Sequence, residues 1–400
     1  MKIEKKIKKI LYVHYQLSEL DGSNTHTSAF EHWFGEICKN QNIDFSVQSP
    51  VLSSKVAPLR ENFWPKIRGI LAKYYLRDFK LWLQNYRRTK QEKAMLEIEA
   101  PDIVLTRFGR GNVSIIWACR QLGIPVVLEI NSPDIESITA HYRSLAIFNR
   151  LFSTANAIKY ALGAFTVSDY LTTRMSAAAS QEKILKTIPN GVDIDKFRPE
   201  IDGVLVRKEL NIKKDSLVIG YVGSFAPWHG IDIIAEAFPL LLEQGFDVHL
   251  MLVGQVQVDS NSLIRNLLDS KHKDKISITG FIALQKIPDY LAAMDITVLA
   301  NTEDYCSPLK IFEYMAMGKA LLSVDTEAVQ HIMRSEKEGL VFERGNSSQF
   351  QSQIKRLLED KGLRDTLSLA ARKRVVEKFQ WKHNAQAVFN LLQECYQARH

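Results

Sequence analysis

Three kinds of feature are scarce or missing in this sequence, and each absence excludes a class of protein. The 400 residues hold only four cysteines, scattered without metal-ligand spacing, which argues against a disulfide framework or a zinc site and for a reducing compartment. No apolar run of about 18 residues occurs, so no membrane-spanning helix is predicted. Neither a G-x-G-x-x-G nor a Walker A motif is present, which disfavours a dinucleotide-binding or nucleotidyl enzyme.

What is present is typical of an ordinary globular chain. Hydrophobic residues make up 46% and charged residues 24% of the sequence, and a chain of this length is expected to form two domains. The lysine-rich start resembles that of a signal peptide, but its apolar stretch runs only from Ile10 to Val13. We therefore predict a first β-strand there and a cytoplasmic protein.

The positive charge is concentrated in one region. The chain has 52 Lys and Arg residues against 45 Asp and Glu residues, a formal charge of +7. Residues 60–93 hold ten of the basic residues and three acidic ones, so this segment alone accounts for +7. Such a surplus suits nucleic acid, anionic membrane or phosphorylated ligands, and it does not choose among them.

Residues 64–93 are also predicted to form one long helix with an approximate apolar stripe. The stripe consists of Ile67, Ile70, Leu71, Tyr74, Phe79, Trp82 and Tyr86. It has two interpretations: a core-facing helix, which is the commoner case, or an interfacial helix on anionic lipid, which the mixture of aromatic and basic residues suits. Nucleic-acid binding is disfavoured, because aromatic and basic residues interleave only here and a helix is not a stacking platform.

The rest of the chain alternates short apolar runs with helical segments, which predicts two doubly wound α/β domains. Strands are predicted in the first half at residues 7–14, 101–105, 125–130 and 165–168. The loop at residues 21–26 is expected to lead from the first strand to a helix at residues 28–39. The second half begins with a strand at residues 217–223 and ends with helices at residues 363–379 and 381–397.

The most informative stretch lies between two predicted buried strands, residues 296–299 and 320–324. Ser307 can cap a helix between them, and Pro308 would then occupy the first helical position, where its missing N–H costs nothing. The sequence therefore predicts a helix that begins at the carboxyl end of a buried strand.

The start of this helix is predicted to bind an anion. The backbone N–H groups of Ser307, Leu309 and Lys310 would face whatever lies above the strand ends, and phosphate is the obvious anion. Glu313 lies one turn further on about the same face, where it can accept hydrogen bonds from hydroxyl groups such as those of a ribose. The alternative is an ordinary capped helix whose Lys310 and Glu313 are solvated.

The surrounding residues favour the first interpretation. The run from Ser307 to Lys319, S-P-L-K-I-F-E-Y-M-A-M-G-K, closely resembles the donor-nucleotide loop of family 4 glycosyltransferases of the GT-B fold. In that family the glutamate at the place of Glu313 holds the ribose, and the preceding amides hold the diphosphate. The run from Pro189 to Asp193, P-N-G-V-D, resembles the turn that ends the amino-terminal domain in the same family.

The resemblance implies two Rossmann-like domains that face each other across a cleft. Residues 1–197 would form an acceptor-binding domain, residues 198–378 a nucleotide-sugar-binding domain, and residues 379–400 a helix that returns to the first domain. Gly22 and Ser23, after the first strand, would lie under the donor phosphates, although a plain βα turn is about equally supported. Phe281 and Ile282 would contact the base through their main chain.

The segment from Gly223 to Gly230 departs from the family pattern at two positions. The family carries an arginine right after the first glycine and a lysine right before the last, and both neutralise the leaving diphosphate. This sequence has Ser224 and His229 there. His229 could act when protonated or donate a neutral hydrogen bond. Lys310 and the helix N-terminus would then carry more of the phosphate charge.

Two further departures lie near the expected position of the sugar. The family has a second glutamate eight positions before the ribose-binding one, and here that position is Tyr305, so Glu303 or Asp304 is expected to contact the sugar hydroxyls. A family histidine at the end of the fourth strand is replaced by Asn131. These departures leave open a degenerate family member that acts as a partner subunit or a nucleotide-sugar sensor.

The resemblance implies a retaining glycosyltransferase that moves a sugar from a nucleotide-sugar, UDP-linked in preference to GDP-linked, to a carbohydrate, lipid-linked or small-molecule hydroxyl acceptor. No cofactor and no metal are expected, because amides and Lys310 would replace a metal ion. The run Asp193-Ile194-Asp195 imitates a metal-binding D-x-D, but it lies in the turn between the domains. No nucleic-acid partner is expected. A peripheral contact with the inner face of the membrane through residues 64–93 follows from the second interpretation of that helix.

Overall fold

The computed structural model describes residues 6–15, 22–50, 66–109, 111–133, 146–177, 183–255 and 262–399. The chain forms two compact domains: the first consists of Met1–Pro189 and Trp381–His400, and the second of Asn190–Gln380. Each domain is built on a parallel sheet of six strands with helices between them. The α/β class with two doubly wound domains is as the sequence predicts.

The first domain contains six strands and seven helices among its described residues. The strands are β1 (Lys9–Val13), β2 (Asp44–Gln48), β3 (Ile103–Phe108), β4 (Val126–Ile130), β5 (Gly163–Thr166) and β6 (Ile184–Thr187). The helices are α1 (Gly22–Asn40), α2 (Lys66–Glu99), α3 (Ser114–Leu122), α4 (Ala146–Leu151), α5 (Thr154–Tyr160), α6 (Asp169–Ser176) and, from the end of the chain, α15 (Trp381–Arg399). The strand order β2-β1-β3-β4-β5-β6 reverses between β1 and β3.

The start of α1 corrects one expectation. A loop was expected over residues 21–26, but the helix begins at Gly22, so the loop is wrong from that residue onward. His26 and Phe30 are buried on the inner face of α1. A helix that begins early brings His26 to the carboxyl end of the first sheet, where it contacts a buried glutamate described below.

The terminal helix α15 packs on the first domain. Its Trp381 ring lies edge-on to the His26 ring at 5.1 Å between centroids, and Phe389 lies 6.3 Å from Phe34 of α1. Leu391, Leu392 and Cys395 on the same face are fully buried. The returning helix that the resemblance implies is therefore present, and it supplies part of the first domain's core.

The long helix α2 buries polar as well as apolar side chains. Asp78, Asn85, Thr89 and Glu92 are buried, and Asn85 Oδ1 accepts hydrogen bonds from the backbone N–H groups at the start of α3, at 3.0 and 3.1 Å. Asn85 therefore satisfies two of the donors that a helix N-terminus leaves free.

Two of the three aromatic residues whose side chains the structure describes in α2 lie on its outer face. Phe79 and Tyr86 are 53% and 47% exposed, so the core-facing interpretation is wrong for these two, while Trp82 between them is partly buried. The side chains of Ile67, Ile70, Leu71 and Tyr74, and all of Trp64, lie outside the described residues. The outer face of α2 thus presents aromatic side chains to solvent.

The second domain contains six strands and eight α-helices among its described residues. The strands are β7 (Leu217–Val222), β8 (Val248–Val253), β9 (Ile276–Ile278), β10 (Ile296–Leu299), β11 (Ala320–Val324) and β12 (Leu340–Phe342). The helices are α7 (Val204–Glu209), α8 (Ile231–Glu243), α9 (Ser262–Leu268), α10 (Ile287–Ala292), α11 (Leu309–Ala316), α12 (Glu327–Ile332), α13 (Ser347–Glu359) and α14 (Lys361–Lys378). Short 3₁₀-helices span Pro227–His229 and Lys273–Lys275.

The second sheet fixes the place of a ligand. Its order, β12-β11-β10-β7-β8-β9, reverses between β7 and β10, which pair in parallel. Apolar side chains on both faces of the sheet are buried against helices, which explains why β10 and β11 read as continuous apolar runs in the sequence. In open α/β sheets ligands bind outside the carboxyl ends of the strands at such a reversal.

Candidate functional site

Two loops meet at the reversal point of the second sheet. One runs from Gly223, after β7, to Gly230, before α8, and the other runs from Ala300, after β10, to Pro308, before α11. Asn301 Nδ2 donates a hydrogen bond to the Trp228 carbonyl at 2.9 Å. Gly230 has a φ of 66°, and a Cβ there would lie 2.8 Å from Asn301 Cβ, so the close approach of the loops requires glycine.

The Lys310 ammonium lies between the first loop and strand β7. Its Nζ donates a hydrogen bond to the Tyr221 hydroxyl at 3.1 Å. Gly223 has a φ of 142°, and a Cβ on it would lie 2.6 Å from Lys310 Nζ, so only glycine leaves room for this side chain. Burial lowers the pKa of Lys310 to about 8, against the opposing effect of Glu313. An ammonium held in this way is poised to accept an anion.

Glu313 lies one helical turn beyond Lys310. Burial raises the pKa of its carboxyl to about 7, and the positive charges of Lys196 and Lys310 oppose that rise. Some surface of each residue remains accessible, although the charged groups lie deep. A buried carboxylate without a direct ion pair gains from hydroxyl hydrogen bonds, as the ribose interpretation requires.

The start of α11 differs from the expectation. Ser307 does not cap the helix, because its Oγ accepts a hydrogen bond from the Asn190 backbone N–H at 3.1 Å, and Pro308 stands at the cap with extended backbone, not at the first helical position. Asn190 Nδ2 also donates to the Ser307 carbonyl at 2.7 Å. The amides of Leu309 and Lys310 remain in the first turn, where a helix leaves its N–H groups without internal partners.

His229 and Ser224 occupy the places of the two family cations in the first loop. Burial, and then the charge of Lys310, lower the pKa of His229 to about 4, so its ring is neutral near pH 7. The structure therefore favours the neutral hydrogen-bonding form of the two that the sequence left open. Ser224 is exposed, and its carbonyl accepts a hydrogen bond from the Tyr221 hydroxyl at 2.9 Å.

The two acids expected near the sugar are in different environments. Asp304 pairs with Arg344 at 3.1 Å, and Arg344 also donates a hydrogen bond to the Thr302 carbonyl at 2.8 Å. The Glu303 side chain is exposed. Arg344 thus fastens the loop around Asp304 and leaves Glu303 as the acid more accessible to a ligand.

Phe281 and Ile282 follow β9 on the same side of the sheet. Phe281 is 61% exposed, whereas Ile282 is partly buried against the apolar cluster that includes residues of α11. Gly280, just before them, forms a bridge with Gly254 at the end of β8. The expected base-contacting segment therefore lies beside the carboxyl ends of the central strands.

The first domain has a polar cluster around Glu129 at the carboxyl end of β4. The fully buried carboxylate accepts hydrogen bonds from Tyr12 Oη at 3.0 Å and Asn131 Nδ2 at 2.6 Å, and His26 Nε2 lies 3.0 Å away. Arg107 Nε is 3.7 Å from the same carboxylate. Burial lowers the pKa of His26 to about 4, so its ring is neutral.

One of the two polar groups of the Asn131 side chain is hydrogen-bonded within this cluster, and the other is not. Its NH₂ faces the Glu129 carboxylate, and its Oδ1 is buried without a hydrogen-bond partner among the described residues. Gly22 and Ser23 form the start of α1, and their side chains lie outside the described part of the chain. The structure thus groups Asn131 with residues of β1, β3 and α1 in the first domain.

The residues that the structure describes include neither a metal-binding cluster nor a membrane-spanning helix. No group of three or more His, Cys, Asp or Glu side chains there could hold a metal ion. Asp193 of the D-x-D imitation accepts hydrogen bonds from the backbone N–H groups of Asp195 and Lys196, both at 3.0 Å, as an Asx-type turn does. None of the described helices combines the length and the apolar character needed to cross a membrane.

Comparison with known proteins points to one family. Residues 216–360 match the family model described as glycosyl transferases group 1. The UDP-Gal:alpha-D-GlcNAc-diphosphoundecaprenol alpha-1,3-galactosyltransferase of Escherichia coli is 24% identical over 385 residues, which are 93% of this chain and 93% of that protein. These matches support a family 4-type glycosyltransferase. A shorter match, 24% over 214 residues and 52% of each chain, is to the capsular polysaccharide biosynthesis glycosyltransferase CapM of Staphylococcus aureus.

The chain also shares its fold with solved structures. The Anabaena protein HepE, in complex with UDP and glucose, aligns with a TM-score of 0.70 and 17% identity over 97% of this chain and all of that chain. The lipopolysaccharide outer core galactosyltransferase WaaB aligns with a TM-score of 0.66 and 15% identity over 96% of this chain and 99% of the other. The predicted GT-B fold of two Rossmann-like domains is confirmed.

Three residues of the candidate site were not predicted from the sequence. Tyr221 reads as one more apolar residue of a buried strand, and Arg344 lies about forty residues from the loop that it fastens. Asn190 was noted only as part of a turn, yet it binds both polar groups of Ser307. In the sequence, the glycine at position 223 is a local signal of a close approach at this strand end, and the structure shows its φ to be 142°.

Proposed function

We propose that this protein transfers a sugar from a nucleoside-diphosphate sugar to a hydroxyl acceptor, with UDP-sugars preferred over GDP-sugars. The observation that carries the proposal is the pair formed by the Lys310 ammonium and the Glu313 carboxylate, one turn apart at the start of α11. The first group suits a diphosphate and the second suits ribose hydroxyls. The name of the Escherichia coli relative specifies UDP-Gal, and the HepE structure contains UDP, which supports the uridine base.

The reaction would proceed with retention at the anomeric carbon. The C1–O bond to the diphosphate breaks, the acceptor oxygen bonds to C1 on the same face, and the acceptor proton passes to the departing phosphate oxygen. Positive charge develops on the sugar and negative charge on the diphosphate as that bond breaks. Lys310, the α11 amides and neutral His229 would stabilise the negative charge, and fixed donors at developing charge are the largest contributors to such catalysis.

The acceptor would bind the first domain. Asn131 Oδ1 is buried and has no hydrogen-bond partner among the described residues, so it is a candidate to accept a hydrogen bond from a hydroxyl group of the acceptor. The relatives named above act on diphosphoundecaprenol-linked sugar or serve capsular polysaccharide synthesis, which favours a glycan or lipid-linked glycan acceptor. Glu303 would contact sugar hydroxyls from the second domain, because Asp304 is paired with Arg344.

A peripheral membrane contact through α2 fits such an acceptor. Phe79, Trp82 and Tyr86 form a continuous stack, with 5.8 Å between successive ring centroids, and Lys90 Nζ lies 5.0 Å from the Tyr86 ring centroid. Lys80 and Arg87 are exposed on the same stretch. Aromatic rings that lie beside cations suit the headgroup region of an anionic leaflet.

Nucleotide release from candidate donors tests the proposed function. The protein is incubated with UDP-galactose, UDP-glucose, UDP-N-acetylglucosamine or GDP-mannose, with and without glycan acceptors, in buffer containing EDTA. We expect one UDP-sugar to be consumed in EDTA, because Lys310 and the α11 amides supply the positive field. Loss of turnover with EDTA that magnesium or manganese restores would contradict the metal-independent mechanism.

Matched variants connect the result to the site. Lys310→Met should abolish binding of the donor. Lys319→Met is the matched control, because burial also lowers the pKa of Lys319 to about 8 and its Nζ donates a hydrogen bond to the Ala292 carbonyl, away from the candidate site. Equal loss in both variants would contradict the role given to Lys310. A protein that binds a nucleotide-sugar but never releases the nucleotide would instead be the partner subunit or sensor.

A further inference from the structure

The hydroxyl of Tyr221 links the Lys310 ammonium to the main chain of the first loop. Tyr221 is fully buried at the carboxyl end of β7. Its hydroxyl donates a hydrogen bond to the Ser224 carbonyl at 2.9 Å and accepts one from Lys310 Nζ at 3.1 Å. Because the hydroxyl has a single proton and gives it to the carbonyl, its lone pairs face the ammonium.

The ring of the same tyrosine gives the ammonium a second support. Lys310 Nζ lies 5.0 Å from the Tyr221 ring centroid, within the range of a cation–π contact. Gly223 closes the other side, since a Cβ there would lie 2.6 Å from Nζ. A lysine ammonium on four rotatable bonds otherwise samples many positions. Here strand and loop together confine it to one.

We propose that Tyr221 is a positioning residue of the donor site, whose hydroxyl holds the Lys310 ammonium above the Gly223–His229 loop for the donor diphosphate. The proposal rests on the proposed function, because it requires a nucleoside diphosphate in the second domain. Ser224 stands where the resembled family carries an arginine, so a larger share of the positive charge falls on Lys310. If Lys310 supplies most of the positive charge at the diphosphate, its ammonium must be held in a fixed position, and the Tyr221 hydroxyl provides that hold.

The competing explanation is that Tyr221 is only a core residue, and that its hydroxyl group makes these hydrogen bonds without any effect on donor binding. Tyr314 provides the matched control, because it is also fully buried in the second domain and also hydrogen-bonded to β7. Its hydroxyl accepts a hydrogen bond from the Val222 backbone N–H at 2.9 Å. Removing either hydroxyl deletes one buried polar group, but only one of the two touches Lys310.

The experiment compares Tyr221→Phe and Tyr314→Phe by calorimetric titration of the full-length protein with UDP and with uridine. We expect Tyr221→Phe to weaken UDP binding by about tenfold or more, as the loss of a hydrogen bond to a charged group does. Uridine, which has no phosphate, should bind the variant and the parent alike. Tyr314→Phe should leave the ratio of the UDP and uridine affinities at the parent value.

The pH dependence of UDP-glucose binding gives a second readout, which would not change if the role of Tyr221 were only structural. Without the tyrosine oxygen the ammonium loses an acceptor, so UDP-glucose binding by Tyr221→Phe should weaken at lower pH than in the parent, whereas Tyr314→Phe should follow the parent. A Tyr221→Phe protein with the parent's UDP-to-uridine ratio and alkaline limb would overturn the inference and leave the proposed function standing. A parent protein that binds neither UDP nor GDP would overturn both.

Discussion

Glu313 is the residue on which nucleotide affinity should depend most directly. Glu313→Ala removes the acceptor for the ribose hydroxyls and leaves the Lys310 anion site in place, so we expect UDP binding to weaken by about 1.5–3 kcal/mol, the range for a hydrogen bond to a charged group. Calorimetry with UDP and with 2′,3′-dideoxy-UDP measures this. The dideoxy compound should bind the parent and the variant equally, since it has no hydroxyl to lose. Undiminished UDP affinity in the variant would remove the ribose assignment.

The two perturbed groups at α11 predict how binding depends on pH. Lys310 binds a diphosphate as the cation, and its pKa of about 8 lies below the ordinary value, so affinity should fall as pH rises through 8. Glu313 accepts hydroxyl hydrogen bonds as the anion, and its pKa of about 7 lies above the ordinary value, so affinity should also fall as pH drops through 7. Binding of UDP-glucose, which has no ionisation of its own in this window, should therefore peak between pH 7 and 8.

One substitution separates the two limbs. Glu313→Gln carries no titrating proton, so the acid limb should disappear while the alkaline limb remains. A profile that stays bell-shaped in this variant would assign the acid limb to some other group. His229 is an unsuitable candidate for it, because its pKa of about 4 lies well below the window.

These residues were accessible to sequence reasoning to different degrees. Lys310 and Glu313 could be predicted because helical spacing puts them on one face and a run of thirteen residues resembles a known loop. Tyr221 could not, because a strand position carries no sign that its hydroxyl, and not only its ring, has a partner. The predicted helix cap at Ser307 was wrong for a similar reason. Local propensity favours a serine cap, but the Ser307 hydroxyl accepts a hydrogen bond from the backbone of Asn190, which lies 117 residues away in the sequence.

At the scale of elements, α2 presents the surface with the clearest expected behaviour. Phe79→Ser with Tyr86→Ser removes two exposed rings, and Lys80→Glu with Arg87→Glu reverses two exposed charges. Each basic residue near an anionic leaflet adds about 1 kcal/mol at low salt, so the fourfold variant should no longer sediment with vesicles rich in phosphatidylserine. Trp82 is left unchanged because it is partly buried against the core of the first domain.

The control for this experiment lies on another exposed helix. Leu369→Ser with Lys373→Glu changes an exposed leucine and an exposed lysine of α14 in the second domain, and it should leave sedimentation as in the parent. UDP binding should be unchanged in both variants. If the unmodified protein ignores anionic vesicles at low salt, the aromatic face of α2 has another role and the acceptor is soluble.

The elements themselves were predictable where one physical signal dominated. β10 and β11 were expected at residues 296–299 and 320–324, and the structure has them at those bounds, because strands buried on both faces appear as uninterrupted apolar runs. Helix α2 was predicted to exist, but its inner face was not predicted. Polar residues share the packed face with Leu96 and Trp82, because Asn85 accepts hydrogen bonds from the start of α3, and hydrophobic periodicity does not reveal such a partner.

At the scale of the molecule, the order of elements along the chain predicted two doubly wound domains, but it could not predict their buried polar contacts. Glu129 draws together Tyr12, His26 and Arg107 from three separate segments, and none of these pairings leaves a trace in local sequence. The attachment of the last helix to the first domain came from family resemblance alone. A chain that leaves one domain, builds a second and returns makes the two domains depend on different parts of the sequence.

That dependence is testable by removing α15. A protein that ends at Gln380 keeps every residue of the second domain but loses the buried face of α15, including Trp381, Leu391 and Leu392. Each large apolar side chain lost from a core lowers the free energy of unfolding by about 1.5–3 kcal/mol. The first domain should therefore unfold, whereas the second should bind UDP within about threefold of the parent affinity. Hydrogen exchange should show β3 and β4 exposed and β7 and β10 protected. Protection of β3 and β4 in the shortened protein would mean that the first domain does not need α15 to fold.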